Sequence, residues 1–114
     1  MPAVAPAAPE PAPAAPGAVP ATGPAAGISL GREVELIDRA MAALRRGDPG
    51  AALRGMQDYA REAGGGGQLA EDAAAIEVEA LCKLGDPAAA DRRARFDTRF
   101  PRSAQRARLA AACP

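Results

Sequence analysis

RRGDPGAALRG (residues 45–55) and KLGDPAAADRR (residues 83–93) carry the same punctuation. Gly47-Asp48-Pro49 returns as Gly85-Asp86-Pro87, 38 positions later. Each triplet reads as a helix stop fused to a helix start. Glycine tolerates the positive φ of a helix end, aspartate can N-cap the next helix, and proline suits a first turn. Upstream, Val34, Ile37, Met41 and Leu44, with Ala40 beside them, mark one face of a helix that closes on Arg45-Arg46. Downstream, Pro49 to Ala63 carries the stripe Ala52, Met56, Tyr59 and Ala63, and Gly64 to Gly67 read as a plain flexible connector. A third helix, Leu69 to Leu84, presents Leu69, Ala73, Ile76, Ala80 and Leu84. A fourth, about Pro87 to Phe100, presents Ala89, Phe96 and Phe100 before Pro101 breaks it, and Ser103 can cap a fifth reaching Ala112. Connections this short make neighbouring helices antiparallel. The expected fold is all-α: two antiparallel helical hairpins plus a C-terminal helix.

Residues 1–29 are of another kind. Eight Pro, eleven Ala and three Gly make up 22 of the 29, and Glu10 is their one charge. Without recurring large apolar residues such a stretch forms no core, and it reads as a disordered Pro/Ala-rich linker preceding a domain at 30–114. It lacks the basic start and unbroken apolar run of a signal peptide. No stretch approaches the ~20 apolar residues of a membrane span.

The segments LIDRAMAALRRGDPGAALRGMQDYA (36–60) and LAEDAAAIEVEALCKLGDPAAADRRARFDTRFPRS (69–103) resemble tetratricopeptide-like repeats, with RFDTRFPRS (95–103) matching the closing corner of a hairpin. They are most similar to repeat domains of Gram-negative periplasmic and outer-membrane assembly proteins. REAGGGGQLAED (61–72) departs from the pattern at the first corner. The resemblance implies a short α-solenoid that holds protein partners, a location in the periplasm or cell envelope, and no catalytic residue or cofactor. The chain as it stands shows no leader or anchor of its own.

Residue chemistry points the same way. With no histidine in the chain, a Ser-His-Asp or Cys-His arrangement cannot be built. Two cysteines 31 apart do not spell a zinc site. Glu77 and Glu79 fall on different sides of a helix, and Glu71-Asp72 suit a helix start. Arg46-Gly47-Asp48 mimics an adhesion tripeptide, but the turn accounts for it. Charge is uneven: residues 30–81 hold six Arg and ten acids, net −4, whereas residues 82–114 hold seven Arg, one Lys and three acids, net +5. Arg92, Arg95, Arg99, Arg102 and Arg106 therefore form a candidate basic face. The leading expectation is a noncatalytic protein–protein interaction or scaffold module, its partner another protein or a second copy of the chain. The alternative is a small regulatory protein whose basic C-terminal hairpin contacts nucleic acid.

Alanine supplies most of the apolar content, so the core is expected to be thin, with Ile37, Leu44, Met56, Tyr59, Ile76, Leu81, Phe96 and Phe100 in one cluster. So small an array is expected to gain stability from self-association or a partner. Stacked hairpins would bring the third and fifth helices side by side, so Cys82 and Cys113 form a candidate disulfide. The bridge is expected in an oxidising compartment and not in a reducing cytosol. The other reading is one small buried hydrophobe and one terminal thiol.

Overall fold

The computed structural model describes residues 27–113, and these are all-α, with no strand among them. The helices are α1 (Leu30–Arg45), α2 (Pro49–Ala63), α3 (Ala70–Leu84), α4 (Ala89–Arg99) and α5 (Gln105–Ala112). The linker expected at 1–29 lies outside the described residues except for Gly27, Ile28 and Ser29.

Local chemistry explains the helix ends. Ser29 caps α1, its Oγ accepting from Arg32 N–H at 3.1 Å. At the first Gly-Asp-Pro triplet, Gly47 (φ +80°) donates to Leu44 O and Asp48 N–H to Ala43 O. At the second, Gly85 (φ +66°) donates to Cys82 O and Asp86 N–H to Leu81 O. Both are the same six-to-one and five-to-two closure of a helix end, repeated at the 38-residue offset. Asp48 then caps α2 through Ala51 N–H, and Asp86 accepts from Ala88 N–H in the turn that opens α4.

The helices pack in sequence: α1 on α2, α2 on α3, and α3 on both α4 and α5, with a smaller contact between α1 and α3. The expected single cluster is in fact two. Leu36, Ile37, Ala40, Ala43, Met56, Tyr59, Ala73 and Ile76 belong to the first core. Ala75, Val78, Phe96 and Leu109 form the second, with Phe100, Cys82 and Cys113 packed against it. The dividing wall is α3, which buries opposite sides into different cores. Leu81 is buried but belongs to neither cluster, and Leu44 is half-buried at the edge of the first.

The expected face of α1 is also rotated. Ile37 and Ala40 are buried as expected, but Val34 is 43% exposed, while Leu36 and Ala43 are buried. Leu84, expected on the α3 stripe, is 47% exposed beyond the last buried turn. A Cβ built on Gly55 of α2 would stand 3.7 Å from Ala40 Cβ, an ordinary contact distance, so α1 and α2 meet at this point through small residues. By contrast, the α2 stripe Ala52, Met56, Tyr59 and Ala63 is the buried face of that helix.

Two cores joined by one helix predict unequal responses to truncation. Phe96, 2% exposed, is the largest side chain of the second core. Phe96→Ala should cost about 3–5 kcal/mol, mostly as a cavity, whereas Val34→Ala should stay within about 0.5 kcal/mol. Urea unfolding followed by circular dichroism measures both.

Candidate interaction surface

The sequence left Glu33 among the charges of α1, yet it is the buried polar residue of the first core, 2% exposed. Its Oε1 accepts from Tyr59 Oη at 2.6 Å and from Leu69 N–H at 2.9 Å. One carboxylate thus joins α1, α2 and the start of α3. Burial pushes its pKa up, but the hydrogen bonds from Tyr59 and from the backbone N–H groups of Leu69 and Gln68 outweigh that and hold it below the ordinary value. Burial, and then the neighbouring Glu33 carboxylate, raise the Tyr59 phenol above its ordinary value.

The glycine run is correspondingly a fitted corner and not a plain flexible connector. Gly64 ends α2 in the left-handed region at φ +64°. Gly67, at φ +101°, passes so close to the pair that a Cβ there would meet Tyr59 Oη and stand 2.7 Å from Glu33 Oε1.

On the second half of the molecule, the candidate basic face is mostly committed to its own carboxylates. Arg92 pairs with Glu77 at 2.7 Å, Arg95 with Asp91 at 3.2 Å and Arg106 with Asp97 at 3.2 Å. Arg108 reaches Glu79 at 3.4 Å. Arg99 lies 4.9 Å from the centroid of the Phe100 ring and donates weakly to Gly65 O. Arg102 is exposed and makes no side-chain bond among the described residues. The acids at the start of α3 do more than complement its dipole: Ser103 Oγ donates to Glu71, and Gln105 Nε2 to Asp72 at 2.8 Å. These two bonds moor the start of α5.

The other end of α5 is held covalently. Cys82 and Cys113 form a disulfide, with Cα atoms 5.3 Å apart. Arg93 donates to Cys113 O at 3.0 Å beside it.

Two grooves remain. The larger, about 690 Å³, runs along α4 past Asp86, Ala90, Arg93, Ala94 and Asp97 and is closed at one side by the disulfide and Ala112. The smaller, about 340 Å³, lies between α2, the glycine corner, α3 and α4, with Arg92 and Arg99 on its rim. Small residues share both walls with charged ones: Asp86, Arg93 and Asp97 in the larger, Glu77, Arg92 and Arg99 in the smaller. Among the described residues, no three histidine, cysteine or carboxylate side chains gather to hold a metal, and no helix is long and apolar enough to cross a membrane. Comparison with known protein families, with curated proteins and with solved structures finds no match to this chain.

The Glu33 geometry sets a pH dependence. Its folded pKa lies below the unfolded one, so its contribution is complete above the ordinary carboxylate range and is lost as pH falls through the folded value. Glu35 and Glu62, lowered first by hydrogen bonding to Arg32, act in the same direction from the surface. Glu33→Gln should cost about 1–3 kcal/mol at neutral pH and flatten the decline that urea titrations of the parent should show across the carboxylate range, roughly pH 6 to 3. Gly67→Ala should destabilise more than Gly65→Ala, because both carry a positive φ but only the former meets a neighbour.

The disulfide makes a separate prediction. Reduction opens a loop between residues 31 apart and should remove about 3–4 kcal/mol in the chain-entropy account. Amide exchange should then accelerate first in α5.

Proposed function

We propose that this chain is a noncatalytic tetratricopeptide-like interaction module, a short α-solenoid of two antiparallel hairpins and a terminal helix that holds a protein partner. The observation that carries this reading is the repeated turn. The same pair of backbone bonds closes α1 and α3 at a 38-residue offset, and each closure runs through a Gly-Asp-Pro turn toward the next helix. A period of that size built from helix pairs is the pattern of stacked repeats. The packing order supports it, since α3 contacts the helix before it, the helix after it, and both α1 and α5. The resemblance of 36–60 and 69–103 to envelope repeat proteins favours a periplasmic setting, where the Cys82–Cys113 bridge would persist.

The nucleic-acid alternative draws on the arginines of α4 and α5. Glu77, Glu79, Asp91 and Asp97 stand among them, which breaks the uniform positive field that phosphate tracking uses. The test separates the two. The full chain, immobilised in its oxidised form, should retain a specific protein partner from an envelope fraction and should not retain arbitrary duplex DNA at low salt. DNA retention with a steep salt slope, and no saturable protein partner, would overturn the interaction-module reading.

A further inference from the structure

The two cores are held by different means. The first draws on α1, α2 and α3 and takes no residue from α4 or α5. In the second, α5 packs mainly on α3, and Leu109 is the one side chain it buries. At 8 residues, α5 is shorter than the ~12–15 that sustain an isolated helix in water, so its place depends on its attachments. Ser103 and Gln105 moor its start on Glu71 and Asp72. The Cys82–Cys113 bridge holds its end. The helix therefore has a hinge at one end and a latch at the other.

The latch is within reach of solvent. Cys82 and Cys113 are both half-buried, and both line the groove along α4, whose volume of about 690 Å³ admits a small dithiol. Accessible bridges exchange more readily than buried structural ones. Arg93 lines the same groove and donates to Cys113 O at 3.0 Å, which sets a cation beside the bridge that an anionic thiolate must approach. The two carboxylates of the groove are engaged, Asp86 by Ala88 N–H and Asp97 by Arg106. Beneath α5 the surface is apolar. Ala75, Val78 and Phe96, at 0%, 1% and 2% exposed, share the second core with Leu109, and without α5 they lose that cover. α4 keeps its own hold on α3 through Phe96 and the Arg92–Glu77 pair.

We propose that the Cys82–Cys113 bridge is a redox modification site, a latch that a dithiol opens in the folded protein. Opening releases α5 and uncovers Ala75, Val78 and Phe96 while α1 to α4 stay in place. In the exchange, a thiolate of the dithiol attacks one bridge sulfur and forms a mixed disulfide, and the other cysteine leaves as a thiolate and takes up a proton. The second thiol of the reductant then displaces the first cysteine, so the bridge is reduced to a pair of thiols and the dithiol is oxidised to a disulfide. A disulfide oxidant closes the latch by the same steps in reverse. This regulation goes beyond the interaction-module reading and does not rest on it.

Treatment of the oxidised full chain with dithiothreitol tests the access, opening being followed by alkylation and mass spectrometry at urea concentrations below the unfolding transition. Opening should proceed at a rate that urea barely changes. A rate that climbs steeply with urea, as exchange through global unfolding does, would overturn the latch. Hydrogen exchange read by mass spectrometry then compares the oxidised chain, the reduced chain and Cys113→Ser. In the reduced chain and the variant, α5 amides should exchange about a hundredfold faster or more, with those of α1 to α3 within about twofold of the oxidised chain. Unchanged protection in α5 means that the bridge latches nothing, and equal loss in α1 to α3 means that it supports the whole fold; either result overturns the proposal. Fluorescence of anilinonaphthalene sulfonate should rise on reduction as apolar surface is uncovered and fall back when oxidised dithiothreitol closes the bridge. A signal that stays flat, or that fails to return once the bridge has re-formed, rules out the switch.

Discussion

A buried carboxylate holds the first half of this molecule in register. Glu33 sits in an otherwise apolar core, where an unpaired charge would be severely unfavourable. It is tolerated because Tyr59 Oη and the Leu69 N–H both donate to the same oxygen. Those donors come from α2 and from the entrance to α3, so α1 cannot shift without leaving the carboxylate unsatisfied. The glycine corner is a consequence of this requirement. The backbone must pass within contact distance of the Tyr59–Glu33 pair at Gly67, and only a residue without Cβ fits that passage at φ +101°.

Once α3 is placed, its composition governs the rest. Ala73, Ile76 and Ala80 face the first core, while Ala75 and Val78 face the second. Alanine on both sides lets α3 approach its neighbours closely, so a helix with few large side chains can still be buried on two faces. The second core is small, and its helices α4 and α5 are the shortest described. It is reinforced by means that need little buried area: the mooring of Ser103 and Gln105 on Glu71 and Asp72, and the Cys82–Cys113 bridge at the opposite end of α5. Covalent and polar ties are the usual support where apolar area is scarce.

The surfaces reflect the same division. The arginines of α4 and α5 spend much of their charge within the molecule, on carboxylates of α3 and α4. Among the described residues, Leu30 and Val34 of α1 stay exposed, and a groove runs open along α4. Of the five helices, α3 has neighbours packed on both sides, and the outer ones do not.

Much of the helical layout was legible in the sequence because its signals are local. Gly47-Asp48-Pro49 and Gly85-Asp86-Pro87 specify their turns through the φ of one glycine and the reach of one aspartate, and the α2 stripe is simple periodicity. The face of α1 was legible only in part: Ile37 and Ala40 are buried as their spacing implies, but Val34 and Met41 outweigh Ala43 in apolarity, and it is Ala43 that is buried. Nor did periodicity show that Phe96 and Ile76 belong to different cores, since both obey the same spacing and only the position of α3 separates them. Glu33 reads as one more surface acid until Tyr59, 26 residues away, and Leu69, 36 away, converge on it. The sequence by itself determined where helices begin and end, because capping and turn chemistry act over a few residues. Tertiary structure alone decided which faces are buried and which polar groups are satisfied, because those depend on partners distant along the chain.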